Sequence, residues 1–259
     1  MKTKIICIIF LMISFTGFTQ TGDSCKLKPQ TGNFSIELDF LPFSDDGPID
    51  LNAFRGRFFF NNKIALRIGF NLNQKKQTNE IPNIYNIDGN KVMLNDKIEQ
   101  QYIVMGINFG AEYHLLDSKR VSPYLGIDFG FENKSSKYSD EKYEVSSYPL
   151  FEYKLIKTEI ENAWETELMW FDQSGYPRYS SSIDERAYNS YKINIITGTD
   201  IYILKHLYMG VELGLGINIV KYKEVTIKQD GVMTLKYPEI KDNEIGLNFN
   251  NAIRLGFWF

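Results

Sequence analysis

The chain is poor in residues that staple a fold or carry chemistry. Its 259 residues include two cysteines, two histidines and eight prolines. Two cysteines cannot build a disulfide scaffold, and two histidines offer little to a metal centre that needs several converging ligands. A basic excess is missing too: 29 Lys and Arg against 32 Asp and Glu leave a formal charge of −3. That balance argues against a nucleic-acid partner. There is no phosphate loop, zinc spacing, calcium loop or solenoid repeat. Beyond the N-terminus no apolar run approaches the roughly 18 residues of a membrane-spanning helix, and no helical period stands out. What is present is 43% hydrophobic residues, too many for a disordered chain. The negative mean hydropathy, taken alone, suggests a soluble protein.

The first residues read as an export signal. Lys2 and Lys4 precede an uncharged apolar core over 5–15, too short to span a bilayer. Gly17 and Thr19 are small residues at −3 and −1 for cleavage before Gln20. The expected organisation is a signal peptide over 1–19, an N-terminal tail over 20–32 carrying Cys25 as a lone thiol, and one domain over 33–259. No further domain is expected after it.

The domain alternates with period two. Ile103, Met105, Ile107, Phe109 and Ala111 interleave with Gly106, Asn108, Gly110 and Glu112. The same pattern runs through 121–132, 207–219 and 245–259, and less clearly through 33–42, 52–60, 63–73 and 190–204. Strict alternation marks strands with one apolar face. Eight strands are predicted, most near the ~9–11 residues that a tilted membrane strand needs. Short turns at Asn61-Asn62, near 117–120 and near Lys205-His206 alternate with long connections over 43–52, 74–98, 133–189 and 223–243. An up-and-down arrangement would gather the short turns at one end and the long loops at the other, as outer-membrane barrels do.

Three features favour an apolar face that points outward. The polar face is rich in glycine, which weakens an exposed strand but suits a crowded lumen. Its cations are arginines (Arg55, Arg57, Arg67, Arg254), suited to forked pairing in confined space. The apolar face ends on aromatics, Phe257 and Phe259, as a lower girdle would.

With its alternating apolar residues and terminal Phe259, the segment from Phe249 to Phe259 resembles the C-terminal signal read by the outer-membrane barrel assembly machinery. The whole chain after the signal resembles, in pattern, the small eight-stranded outer-membrane barrels of the OmpX and OmpA-transmembrane-domain type. The resemblance implies an all-β, eight-stranded antiparallel up-and-down transmembrane barrel with short periplasmic turns and long outer loops. It also implies outer-membrane lipid and the assembly machinery as partners.

The lumen is expected to hold Glu37, Arg55, Arg57, Arg67, Glu112, Asp128, Asp200, Glu212 and Arg254. A Glu37–Arg254–Glu212 cluster is expected where the first strand closes on the last. Arg57 and Arg67 should face each other across the Asn61-Asn62 turn and draw acids from across the lumen. Such a network is either a plug of salt bridges or a pathway for ions. His114 and His206 fall near the turns, and no serine is placed on a strand beside either one. No catalytic, metal or cofactor site is therefore expected.

The connection over 133–189 carries many aromatics, among them Trp164, Trp170 and Tyr176. They suit recognition of a partner or a lid over the mouth. Part of this connection reads as a short amphipathic helix through Ile156, Ile160, Trp164, Leu168 and Phe171, and 164–170 reads equally as an extended hairpin. The expected function is non-enzymatic surface binding, adhesion or envelope integrity through the outer loops, with an unidentified extracellular or envelope partner. The alternatives are a narrow porin-like channel, an accessory subunit of a secretion or uptake complex and, last, a lipid-modifying enzyme.

Overall fold

A computed structural model describes residues 27–40, 49–87, 90–115, 120–145, 153–171, 177–249 and 253–259. The signal region and Cys25 lie outside these residues. The described residues form strands joined by turns, with no helix: β1 (Phe34–Phe40), β2 (Ile49–Phe59), β3 (Ile64–Ile87), β4 (Asn90–His114), β5 (Val121–Val145), β6 (Tyr153–Glu161), β7 (Trp164–Phe171), β8 (Pro177–Asp184), β9 (Tyr188–Leu204), β10 (Leu207–Tyr222), β11 (Val225–Gln229), β12 (Val232–Tyr237), β13 (Ile240–Phe249) and β14 (Ile253–Trp258).

Eight antiparallel strands close into a ring, β1-β2-β3-β4-β5-β9-β10-β14, with β14 returning to β1 from Ser35↔Trp258 to Phe40↔Ile253. Each of the eight expected strands has its counterpart in this ring, the last one divided: 253–258 is β14 in the ring, and 245–249 belongs to β13 beside it. β10 pairs with β14 over Leu207–Gly210 and with β13 over Leu213–Tyr222. Asn61 makes the β2–β3 turn by accepting from the amides of Lys63 and Ile64, each at 2.8 Å. His206, at φ 74°, makes the β9–β10 turn. The expected turn near 117–120 falls largely outside the described residues.

The ring is apolar outside and polar inside. Ile195 is 65% exposed and Phe109 51%, and Leu125, Val211, Leu213 and Leu215 stand out in the same way. Glu37, Arg57, Glu112, Asp200 and Arg254 are buried within. A water-soluble closed sheet would place these two sets the other way round.

The long connections differ from expectation. The 74–98 connection is a continuation of β3 and β4, which stay in register as far as Ile87↔Asn90. β5 also runs on to Val145 and pairs with β6, and β6 pairs with the β11–β12 hairpin. Beyond the ring stands a sheet in the order β3-β4-β5-β6-β11-β12. The helix considered for 156–171 is absent: 153–161 and 164–171 are strands joined at Asn162, which has φ 69°. The extended hairpin of 164–170 is present as β7 paired with β8, Trp164↔Asp184 through Phe171↔Pro177. The reason is that Asn73–Glu80 is polar on both faces and that the apolar residues beyond it, Ile81, Ile84, Ile87, Val92, Met93 and Leu94, do not alternate. Pairing continues there, but hydropathy no longer alternates, so the strand has no signature in apolar residues.

The expected N-terminal tail is seated over its described part. Gly32 donates to the Phe59 carbonyl at 2.8 Å, and the Trp258 indole donates to the Leu27 carbonyl at 3.1 Å. Leu27 packs on the buried cluster of Tyr202, Tyr208 and Trp258, covering the end of the ring that carries the short turns. A second apolar cluster, Ile160, Ala163 and Val225, knits the outer sheet together with Tyr138, Ile183 and Ile227.

Candidate functional site

The inward positions of β1, β2, β3, β4, β5, β9, β10 and β14 supply one charged residue or more each. Arg57 and Arg67 are cross-strand partners, an arrangement that repels unless an anion lies between them. Glu112 is that anion: its Oε2 accepts from Arg57 at 2.8 Å and its Oε1 from Arg67 at 2.9 Å. Arg57 also donates to Asp200 Oδ2 at 2.8 Å, to Tyr208 OH at 3.2 Å and to Glu37. Arg254 reaches Glu37 at 3.3 Å, Asp200 at 3.1 Å and Glu212 at 3.7 Å. Arg67 grips Glu212 with both Nη atoms, at 2.8 and 3.1 Å, and lies 3.2 Å from Asp128. Arg55, at the upper edge, reaches Glu37 at 3.3 Å. All nine charged residues singled out from the sequence therefore meet in one network.

Tyrosines complete the network. Tyr124 donates to Glu212 at 2.5 Å, and the Tyr208 hydroxyl lies 2.6 Å from Glu37 and 3.0 Å from Ser35. The rings fit because glycine stands opposite each of them. Tyr208 pairs with Gly256 and Tyr124 with Gly198. A Cβ at Gly256 would come within 2.0 Å of the Tyr208 ring, and one at Gly198 within 2.3 Å of the Tyr124 hydroxyl. These tyrosines were missed at the sequence level. The available signal was the pairing of a large polar residue with a glycine on the adjoining strand.

Above the network the interior opens into a cup of about 670 Å³. Arg67, Asp128 and Glu212 form its floor, with Asn71, Asn108 and Asn194 on its walls. At the rim Glu132 accepts from Tyr188 at 2.6 Å and from Asn71 at 3.2 Å, and pairs with Lys192 at 3.3 Å.

One expectation is corrected here. Ser122 does lie beside a histidine: His114 Nδ1 and Ser122 Oγ are 2.8 Å apart, and His114 Nε2 is 3.6 Å from Glu112. The β4–β5 register, His114↔Tyr124, brings them together, and that offset could not be read through the intervening turn. Both side chains are buried, and Glu112 is already held by two arginines. No group of three or more His, Cys, Asp or Glu suited to a metal ion occurs among the described residues.

Trp164 is buried rather than presented. Its indole donates to the Gln101 carbonyl at 3.0 Å, and its ring lies 5.5 Å from that of Tyr102. Trp170 lies on β7 opposite Arg178, and Tyr176 lies outside the described residues. Phe257 packs against the His206 ring at 5.6 Å, and Phe259 stands exposed, 5.5 Å from Phe34. Phe259 also exchanges both backbone hydrogen bonds with Phe34, at 2.9 and 3.0 Å.

A scan against protein-family models finds no match, and no curated protein is similar to the chain in sequence.

Proposed function

We propose that this chain is an exported, integral outer-membrane β-barrel that acts without catalysis, as a binding, adhesion or envelope-integrity protein. The observation that carries the reading is the inverted ring: an exposed hydrocarbon exterior around a buried, hydrogen-bonded charge network. A ring of this kind is costly in water and stable in lipid. On β10 the outward apolar positions run from Leu207 to Ile219. At about 3.3 Å per residue this is roughly 40 Å of strand, or about 30 Å across a bilayer at the ~40° tilt of a closed sheet. The hydrocarbon band of such proteins is about 25 Å.

The paired sheet beyond the ring gives the binding surface in this reading, on a scaffold stiffer than free loops. The network disfavours the channel alternative, since it fills the ring below the cup with ion-paired side chains. The buried Ser122 and His114 likewise disfavour the enzyme alternative, because no substrate could reach the hydroxyl. Electrophoresis of the detergent-extracted protein with and without boiling tests the class. A folded barrel should migrate differently from the boiled chain. A protein recovered from the soluble fraction with one unshifted band would sink the reading. Pull-down with and without residues 134–189 then tests whether the outer sheet selects a partner.

A further inference from the structure

Within the ring, the like-charged pair Arg57↔Arg67 is reconciled by the carboxylate of Glu112. The chain contains a second cross-strand pair of cations, Lys221↔Lys241, between β10 and β13. Both lysines are exposed, and among the described residues neither makes an ion pair. Like charges directly opposite one another destabilise a sheet.

Three nearby acids are turned elsewhere. Asp242 stands opposite the buried Val220, on the other face of the sheet. Glu244 turns to Asn218, and Glu224 pairs with Lys236 at 2.9 Å. Glu239 is exposed two residues before Lys241, outside the strand.

The position of the pair is as telling as its charge. One step toward the ring on the same outward face lie Ile219 and Asn243, and the next step is Ile217 with Ile245, which is 78% exposed. The lysines therefore stand immediately above the upper limit of the apolar belt. Lys221 lies over the Tyr191 ring at 5.5 Å, and Tyr191 packs on Phe131 at 5.3 Å. Tyrosine and lysine in that order, above hydrocarbon, match the interfacial layer of a bilayer.

We infer that Lys221 and Lys241 form a binding site for the phosphate of an anionic membrane lipid, which takes the bridging place that Glu112 takes between Arg57 and Arg67. The inference rests on the outer-membrane reading above. The headgroup phosphate accepts hydrogen bonds from both ammonium groups, Tyr191 backs the site, and the acyl chains lie along Ile219 and Ile217.

The test is native mass spectrometry of the full chain from mixed micelles holding equal dioleoylphosphatidylglycerol and dioleoylphosphatidylcholine, with a parallel arm in inorganic phosphate. The wild-type chain should retain phosphatidylglycerol in preference. Each lysine near an anionic surface contributes about a 5-fold change in affinity, so the Lys221→Gln/Lys241→Gln variant should lose about 25-fold in affinity for phosphatidylglycerol relative to phosphatidylcholine. Lys97→Gln/Lys157→Gln removes two ion-paired lysines and the same net charge, and should leave occupancy unchanged. Equal loss in both variants would reduce the effect to net charge and overturn the site. Retention of inorganic phosphate without preference for phosphatidylglycerol would also overturn it, in favour of a free anion. A chain that shows the heat-dependent band yet retains both lipids equally fails this inference alone. A chain that lacks the band fails the membrane reading beneath it.

Discussion

At Arg57 three carboxylates and a phenol converge on one guanidinium that has no accessible surface. Burying these charges is costly, and only mutual pairing offsets the cost. Arg57→Met would leave Glu37, Glu112 and Asp200 crowded together without their shared cation. The expected loss is about 3–5 kcal/mol, read from urea unfolding of the refolded protein in micelles by tryptophan fluorescence. A loss below about 1 kcal/mol would show that the other arginines can hold the acids by themselves. The nine charged residues were legible in sequence because parity alone assigns a residue to the polar face. Their pairing was less so. Asp200 meets both Arg57 and Arg254 only because the ring closes, and the contact of His114 with Ser122 depends on a register that the turn conceals.

At the scale of elements, the ring and the outer sheet share strands but differ in what holds them. Within the ring, β3 and β4 are fixed by their neighbours on both sides. Among the described residues, β3 above Asn71 pairs only with β4, and the hairpin continues from Leu72↔Met105 to Ile87↔Asn90. Its stem is amide and charge, with pairs such as Lys97–Glu99 at 2.7 Å lying on the surface, where ion pairs contribute little. Replacing residues 77–100 with Asn-Gly keeps the register through Lys76↔Gln101 and supplies a favourable two-residue turn. This shortened chain should still fold to the heat-dependent band, with a midpoint within a few degrees of the parent. Failure to refold would make the outer hairpin part of the folding unit. The same contrast explains the sequence reading. Strands were visible where one face was hydrocarbon. They are not legible over 74–98 and most of 133–189, where polar stretches such as Asn73–Glu80 and irregularly spaced apolar residues break the alternation; 164–170, which reads equally as a hairpin, is the exception. For Trp164 the sequence leaves recognition and a packed lid both open, because an aromatic in that connection gives no hint that Gln101 and Tyr102 bury it.

For the whole molecule, the distinction between a protein of water and a protein of lipid rests on the exterior of the ring. The chain carries its own matched comparison. Ile195 is 65% exposed in mid-β9, flanked across the sheet by the outward Ile127 and Leu215. Ile84 is 64% exposed near the tip of the β3–β4 hairpin, opposite Met93. By exposure alone the two are equivalent, and in water an exposed Ile→Arg change should cost no more than about 0.5 kcal/mol at either position. If the ring spans a bilayer, Ile195 lies near its midplane, where arginine costs about 2–4 kcal/mol, while Ile84 remains in water. Ile195→Arg should therefore destabilise the vesicle-folded protein by that amount relative to Ile84→Arg, as measured by guanidinium unfolding in dilauroylphosphatidylcholine. Equal and small effects at both positions would mean that the ring faces water on its exterior. The inverted distribution of charge would then need a protein partner, rather than lipid, to cover it.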